Sequence, residues 1–148
     1  MKKGLFVGTF DPFTIGHASI VKRALTLFDG LVIGVGVNEK KCPGRSADKR
    51  KEAIEKLYAD DGRIEVRTYA GLTVDLARQC EVQFLVKGIR SVKDFEYERE
   101  QADVNRRLSG LETVFLMAEP GMESVSSSLV RELEHFGHDV SEWLPKRR

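Results

Sequence analysis

The chain has 148 residues, of which 41% are hydrophobic and 32% charged, and its formal net charge at pH 7 is +1. This composition predicts one globular domain, residues 1–148, and excludes a strong general attraction to nucleic acid or anionic membranes. No apolar run approaches the roughly 18 residues of a membrane span, and the short run after Lys2 and Lys3 is not a signal peptide. Cys42 and Cys80 fit neither a disulfide framework nor a metal spacing. We therefore expect a cytoplasmic protein.

The first predicted elements enclose the string Gly8-Thr9-Phe10-Asp11-Pro12-Phe13-Thr14-Ile15-Gly16-His17. Apolar residues 5–7 before it predict a strand, and apolar residues at positions 20, 21, 24, 25 and 28 predict a helix after it. The unpaired N–H groups and the positive dipole end of that helix would face the loop and bind an anion. A lone histidine here is more often an ordinary helix-start residue, but Thr14 and His17 are spaced to reach the same region.

The next predicted strand, Leu31–Val37, is a nearly continuous apolar run, which is typical of a parallel sheet covered on both faces. Its two glycines, Gly34 and Gly36, do not form a dinucleotide fingerprint, because they lie inside the strand and no third glycine follows. We expect them to let another backbone or a ligand come close. The polar loop Asn38–Arg45 comes next, and its cations either bind phosphates or form a solvated basic surface; they are Lys40, Lys41 and Arg45.

Helices and strands continue to alternate along the rest of the chain. The predicted elements are a helix from Ser46 to about Tyr58, a strand over Arg63–Tyr69, a short helix capped by Thr73, a strand over Val82–Val86, a charged helix over Asp94–Leu108, a strand over Glu112–Met117 and a helix opened by Ser126-Ser127-Ser128. This alternation predicts an α/β fold, a doubly wound, Rossmann-like parallel sheet of five strands with right-handed crossovers.

Four predicted loops would then meet at the carboxyl edge of the sheet, where ligands bind in such folds. They are Gly8–His17, Asn38–Arg45, Lys87–Arg90 and Met122–Ser128. Together they bring a histidine, several cations and two helix N-termini, a combination that suits a polyphosphate. The three serines at the last helix start are either a second anion site or plain N-caps.

The string Gly8-Thr9-Phe10-Asp11 with Thr14-x-Gly16-His17 resembles the signature of the nucleotidyltransferase superfamily. Within it, the chain resembles the phosphopantetheine adenylyltransferases most closely, over essentially its whole length. The resemblance also rests on Lys41, Gly88-Ile89-Arg90, Asp94-Phe95-Glu96-Tyr97-Glu98, Asn105-Arg106 and Ser126-Ser127-Ser128. The family transfers adenylate from ATP to phosphopantetheine, giving dephospho-coenzyme A and pyrophosphate, the penultimate step of coenzyme A biosynthesis.

The resemblance also implies binding residues. ATP would be bound by Thr9, Phe10, His17, Gly88, Ile89, Arg90, Glu98, Met122, Glu123, Ser124, Val125, Ser126, Ser127 and Ser128. Phosphopantetheine would be bound by Thr9, Lys41, Thr73 and Lys87. His17 would act on the α-phosphate, Lys41 on the attacking phosphate and Arg90 on the β- and γ-phosphates. Mg²⁺ would arrive with the triphosphate, so no metal ligand on the protein is expected. Family members are usually homohexamers.

The chain departs from the family pattern at Lys87, where arginine is usual, at Met122, where tryptophan is frequent, and in a shorter tail after Trp143. One alternative is a sibling enzyme, a nicotinate mononucleotide adenylyltransferase or a cytidylyltransferase, and the string Asp94–Glu98 argues against it. Another is a non-catalytic nucleotide-binding regulator on the same fold. The joint presence of His17, Lys41 and Arg90 argues against that class.

Overall fold

The computed structural model describes residues 1–37 and 45–146, so the predicted ligand Lys41 lies outside the described residues. The strands are β1 Lys3–Gly8, β2 Gly30–Gly36, β3 Ile64–Tyr69, β4 Phe84–Ile89 and β5 Glu112–Met117. The helices are α1 Ile15–Ala24, α2 Ala47–Leu57, α3 Thr73–Gln79, α4 Val92–Ser109 and α5 Ser127–His135, followed by a 3₁₀ turn at Ser141–Trp143.

The five strands form one parallel sheet in the order β3-β2-β1-β4-β5. The predicted α/β class and doubly wound five-stranded sheet are therefore confirmed. The chain builds outward from β1 through β2 to β3, and then crosses back to build β4 and β5 on the other side of β1. The strand order thus reverses between β1 and β4. In open α/β sheets this reversal point is where the loops diverge and leave room for a ligand.

The sheet is covered on both faces, as the apolar runs predicted. One buried cluster includes Phe6, Ile33 and Val86, packed with α1 and α2. The other includes Leu5 and Val7, packed with α3. Alternate residues of β1 thus point to opposite faces, the geometry of a strand buried on both sides.

Two predicted boundaries are wrong. The strand predicted over Val82–Val86 is β4, which starts later and extends through Ile89, so Lys87 and Gly88 are strand residues rather than loop residues. It extends because β4 pairs with β5 up to Ile89 and Met117, and it starts late because the Val82 N–H still bonds the Ala77 carbonyl after α3.

The predicted cap at Thr73 is wrong by one residue. Leu72 is the N-cap of α3, without a side-chain hydrogen bond, and Thr73 is the first helical residue. The Thr73 hydroxyl instead lies 3.4 Å from the Tyr69 hydroxyl. The predicted start of α2 is confirmed, because the Ser46 hydroxyl accepts from the Lys49 N–H.

The charged helix α4 has no buried residue, in line with the expectation that it faces water or a partner. Its apolar side chains are left substantially exposed, namely Val92, Phe95, Val104 and Leu108. Among residues 1–37 and 45–146, no helix is both long and apolar enough to cross a membrane.

Candidate active site

A cavity of about 570 Å³ opens at the carboxyl ends of β1 and β4. It brings together most of the predicted ATP ligands, which are Thr9, Phe10, His17, Gly88, Ile89, Arg90, Glu98, Met122, Val125, Ser126, Ser127 and Ser128. Lys87, a predicted phosphopantetheine ligand, also lines it. Glu123, Ser124 and Thr73 are not among the lining residues. The structure thus gathers one continuous set of predicted residues and leaves three described ones outside it.

The orientation of His17 is fixed by the start of α1. Thr14 is the N-cap, and its backbone N–H donates to His17 Nδ1 at 2.9 Å, while the Thr14 hydroxyl accepts from the His17 N–H at 3.4 Å. This is a capping box with histidine in the position usually held by Glu or Gln. Because Nδ1 accepts a hydrogen bond, the ring proton is on Nε2.

The His17 ring is also held by aromatic side chains. Phe10 meets it edge-on, with ring centres 5.0 Å apart, and Phe13 lies at 5.3 Å. Burial and, to a smaller extent, the nearby Arg90 charge lower the pKa of His17 from 6.5 to about 4. His17 is therefore a neutral Nε2–H donor at physiological pH, at a site where a transferred phosphate would meet the N-terminus of α1.

Arg90 connects two elements at the cavity. Its backbone N–H and its Nε both bond the Asp94 carboxylate, at 3.2 and 3.3 Å, and its Nη1 donates to the Val125 carbonyl at 3.3 Å. The guanidinium is thereby placed between the start of α4 and the loop before α5. Because a planar guanidinium carries five N–H donors, Arg90 can also donate hydrogen bonds to phosphate oxygens.

Lys87 and Glu98 form an ion pair across the cavity. Lys87 Nζ lies 3.5 Å from Glu98 Oε2, and both side chains are about four-fifths buried, with exposed fractions of 23% and 21%. Lys87 comes from β4 and Glu98 from α4. Two residues that the resemblance assigned to different substrates are thus direct partners.

The hydrogen bonds at the start of α5 show which of the three serines is an N-cap. The Ser126 hydroxyl accepts from the Leu129 N–H at 3.1 Å, so it is an N-cap. The Ser127 hydroxyl donates to the Pro12 carbonyl at 2.7 Å and ties α5 to the first loop. Since these hydroxyls have protein partners, any anion bound here would be held by the backbone N–H groups of the first turn.

Several lining residues are not among the predicted ligands, and three of them form polar contacts at the cavity, namely Arg131, Ser19 and Glu119. Arg131 donates to the Asp11 carbonyl and lies 3.3 Å from the Ser128 hydroxyl, while the Ser19 hydroxyl donates to Glu119 at 2.7 Å. Arg131 follows Ser128 by three residues, a helical spacing that was available as a signal. The pair of Ser19 and Glu119 joins positions far apart in sequence, so no local pattern could reveal it.

The acidic side chains of the cavity do not form a metal centre. Asp94 and Glu98 are engaged by Arg90 and Lys87, and Arg45 lies 3.9 Å from Asp11. Within the described part of the chain, no group of three or more His, Cys, Asp and Glu side chains could hold a metal ion. Arg90, Lys87 and the helix starts give the cavity donors that suit an anion.

Comparison with known proteins places this geometry in a family. Residues 5–133 match the model of the family described as Cytidylyltransferase-like. Phosphopantetheine adenylyltransferase of Phocaeicola vulgatus is 56% identical over 146 residues, covering 99% of this chain and 97% of the relative. The chain belongs to the phosphopantetheine adenylyltransferase family. The phosphopantetheine adenylyltransferases of Bacteroides thetaiotaomicron and Flavobacterium johnsoniae are 53% and 42% identical, with similar coverage. The predicted resemblance is thus confirmed.

Solved structures support the fold of this phosphopantetheine adenylyltransferase family member. A bifunctional NMN adenylyltransferase/ADP ribose pyrophosphatase from Francisella tularensis superposes with a TM-score of 0.72 at 16% identity. The match covers 99% of this chain and 46% of that chain, so the chain spans about half the length of that protein. At this level of identity the likeness concerns the fold and not the substrate.

Proposed function

We propose that the protein transfers the adenylyl group of ATP to the phosphate of phosphopantetheine, giving dephospho-coenzyme A and pyrophosphate. The observation that carries the proposal is the neutral His17 ring, which lines the same cavity as Arg90 and the start of α5. The membership of the chain in the phosphopantetheine adenylyltransferase family supplies the acceptor. A nicotinate mononucleotide acceptor has no comparable support.

The chemistry requires alignment more than proton transfer. A phosphate oxygen of the acceptor attacks the α-phosphorus of ATP in line, the P–O bond to the β-phosphate breaks, and pyrophosphate leaves with the electron pair. The nucleophile is already ionised, so no strong general base is needed. The protein must hold two anions that repel each other and stabilise the charge that develops in the transition state. In this proposal the His17 Nε2–H donates to the α-phosphate. Arg90 and the first turn of α5 bind the β- and γ-phosphates, which leave as pyrophosphate.

Magnesium enters with the nucleotide in this proposal. The acidic side chains of the cavity are engaged by protein partners, and no described cluster offers a metal cage, so the triphosphate itself would supply most of the ligands. The ion would neutralise phosphate charge. The protein contributes cations and N–H groups around it.

The acceptor phosphate is assigned to Lys87 together with Lys41. Lys87 already lines the cavity and is held by Glu98 at 3.5 Å. Since a phosphate would compete with Glu98 for the same ammonium, binding of the acceptor would exchange one ion pair for another. Thr73 lies beyond the end of β3 and outside the cavity lining, so its predicted contact would be with a part of phosphopantetheine remote from the reacting phosphate.

An acceptor panel tests the proposal. Purified protein with ATP and Mg²⁺ should release pyrophosphate with phosphopantetheine, but not with nicotinate mononucleotide. Pantetheine, which lacks the phosphate, is the matched control, and it should give no product. Release with nicotinate mononucleotide and none with phosphopantetheine would replace the proposal with the sibling activity. ATP binding without release for any acceptor would favour the non-catalytic regulator.

We further infer a single domain that assembles as a homohexamer in the cytoplasm. The exposed apolar residues of α4, together with its absence of buried residues, support an interface there. Light scattering coupled to gel filtration measures the assembly directly. A monomer at micromolar concentration would contradict it.

A further inference from the structure

Arg50 is a buried cation outside the cavity lining. It is only 3% exposed, although its neighbours on α2, Lys49 and Lys51, are charged and reach solvent. Burying a guanidinium is costly unless its N–H groups find acceptors. The hydrogen-bond acceptors of Arg50 therefore indicate the role of its side chain.

The Arg50 side chain bonds three backbone carbonyls. Its Nη1 donates to the carbonyls of Thr9 and Gly36, the second at 3.1 Å, and its Nε donates to the carbonyl of Arg45 at 3.1 Å. Thr9 directly follows β1 and Gly36 ends β2, the neighbouring strand. One side chain thus joins the carboxyl ends of two strands to the residue that precedes the cap of α2.

The Thr9 carbonyl precedes a residue with an unusual backbone conformation. The next residue, Phe10, has φ of 52°, a left-handed conformation that a bulky side chain rarely adopts. Such a backbone persists only where its surroundings hold it. On one side the buried Phe10 ring packs edge-on against His17, with ring centres 5.0 Å apart. On the other side, Arg50 holds the peptide that enters Phe10.

The far end of the same loop is held by α5. Arg131 donates to the Asp11 carbonyl, and the Ser127 hydroxyl donates to the Pro12 carbonyl at 2.7 Å. Arg131 and Ser127 line the cavity, whereas Arg50 does not. Because Arg50 is buried and does not line the cavity, we expect it to act on a bound nucleotide through the backbone that it holds.

We propose that Arg50 is a positioning residue, which sets the Thr9–Phe10 backbone and through it the orientation of His17 for adenylyl transfer. The inference rests on the proposed function, because the transfer step defines what must be positioned. It predicts a specific division of effects. Loss of the hydrogen bonds to the three carbonyls should weaken the stabilisation of the transition state by His17. The affinity for ATP should change less.

The main test is Arg50→Lys, which keeps the buried charge but cannot place donors on three carbonyls in a planar fork. Turnover should fall about tenfold or more, the loss expected when reacting groups are slightly misplaced, while the Michaelis constant for ATP changes less than about threefold. Lys49→Met, which removes an exposed cation from the adjacent position, is the control and should behave like the unmodified protein.

A second measurement follows the side chains themselves. Nitrogen NMR of the unmodified protein should show His17 with its proton on Nε2, and Arg50 N–H signals that exchange slowly with water. In Arg50→Lys the His17 ring signals should shift, because Arg50 no longer holds the backbone that places the Phe10 ring against the imidazole. These spectra need no substrate, so they test the positioning even if phosphopantetheine is not the acceptor. The measurement on the unmodified protein also does not depend on a variant folding.

Two outcomes would overturn the inference. In one, Arg50→Lys retains normal turnover and normal His17 signals, whatever its melting temperature, which would make Arg50 purely structural. In the other, the Arg50 N–H signals of the unmodified protein exchange as fast as those of an exposed arginine. A failure of the acceptor assay with intact NMR results would count against the proposed function alone.

Discussion

The backbone N–H of Thr14 donates a hydrogen bond to His17 Nδ1 at 2.9 Å. This contact decides which nitrogen of the ring carries the proton, and burial keeps the ring neutral, with its pKa lowered to about 4. A residue that caps its own helix thus also presents a defined N–H donor to the cavity.

His17→Ala should lower turnover by roughly a hundredfold or more, as expected for the loss of a donor that acts in the transition state. ATP affinity should change little, because the contact is weak before charge develops. Steady-state kinetics of pyrophosphate release measures both. His138→Ala, which removes an exposed histidine, is the control. Near-normal turnover in His17→Ala would remove the catalytic assignment.

The lowered pKa of His17 also predicts how stability depends on pH. The folded state resists protonation down to about pH 4, whereas the unfolded chain takes up the proton near 6.5. The stabilising contribution of the neutral ring is therefore complete above pH 6.5 and is lost as the pH falls toward 4, by an amount on the order of 3 kcal/mol. Urea unfolding between pH 4 and 6.5 should show this fall in the free energy of unfolding for the unmodified protein but not for His17→Gln. Equal slopes with pH would contradict it.

The ion pair of Lys87 and Glu98 at 3.5 Å gives a prediction about the acceptor. Lys87→Ala should raise the Michaelis constant for phosphopantetheine by about tenfold or more, since a hydrogen bond to a charged group is worth roughly 1.5–3 kcal/mol. Lys87→Arg should lower that constant or leave it unchanged, because a guanidinium grips phosphate with two parallel donors.

The Michaelis constant for ATP should not change in Lys87→Arg. Lys93→Ala, which removes an exposed lysine at the start of α4, serves as the control. Normal acceptor kinetics in Lys87→Ala would leave the acceptor phosphate to another basic group such as Lys41.

Lys41→Ala should impair both acceptor binding and turnover, if Lys41 contacts the attacking phosphate as the family resemblance implies. Competition binding of phosphopantetheine and the rate of pyrophosphate exchange measure the two effects separately. The exposed Lys56 of α2, replaced in the same way, is the comparison. Unaltered exchange would mean that the loop Asn38–Arg45 is a solvated basic surface, the alternative that the sequence left open.

Gly34→Ala should destabilise the fold by about 1–3 kcal/mol, the usual cost of overpacking a core. A Cβ at Gly34 would come within 2.8 Å of Leu76 and 3.0 Å of Val7, both of which are buried. Gly62→Ala is the control, since a Cβ there meets no atom within 4 Å. Denaturant unfolding gives the difference. Equal stabilities would mean that the contact of β2 with α3 relaxes freely.

The sheet could be predicted from sequence because four strands are apolar runs and β3 alternates apolar and polar residues, each strand is followed by a helical repeat, and this alternation of elements allows few topologies. The extension of β4 through Lys87 and Gly88 could not, because pairing with β5 overrides the weak strand preference of those residues. The prediction that a backbone or a ligand comes close at Gly34 is wrong, because its close neighbours are the side chains of Leu76 and Val7.

Part of the cavity lining could also be predicted from the sequence. Residues in contiguous strings, such as His17 and Ser126–Ser128, reach the cavity as expected. The contacts of Arg50 and Arg131 with loop carbonyls could not be foreseen, because a bond from a side chain to a distant backbone leaves no periodic pattern. The roles of the individual ligands remain predictions.

The strand order β3-β2-β1-β4-β5 places the proposed acceptor contacts on both halves of one sheet. Lys87 lies on β4 and lines the cavity together with the predicted ATP ligands, whereas Thr73 follows β3 on the other half, outside the cavity lining. If both residues bind phosphopantetheine as proposed, the acceptor spans the sheet from β4 to β3. We therefore expect substitutions after β3 to change the affinity for the acceptor while the residues of the cavity lining stay in place.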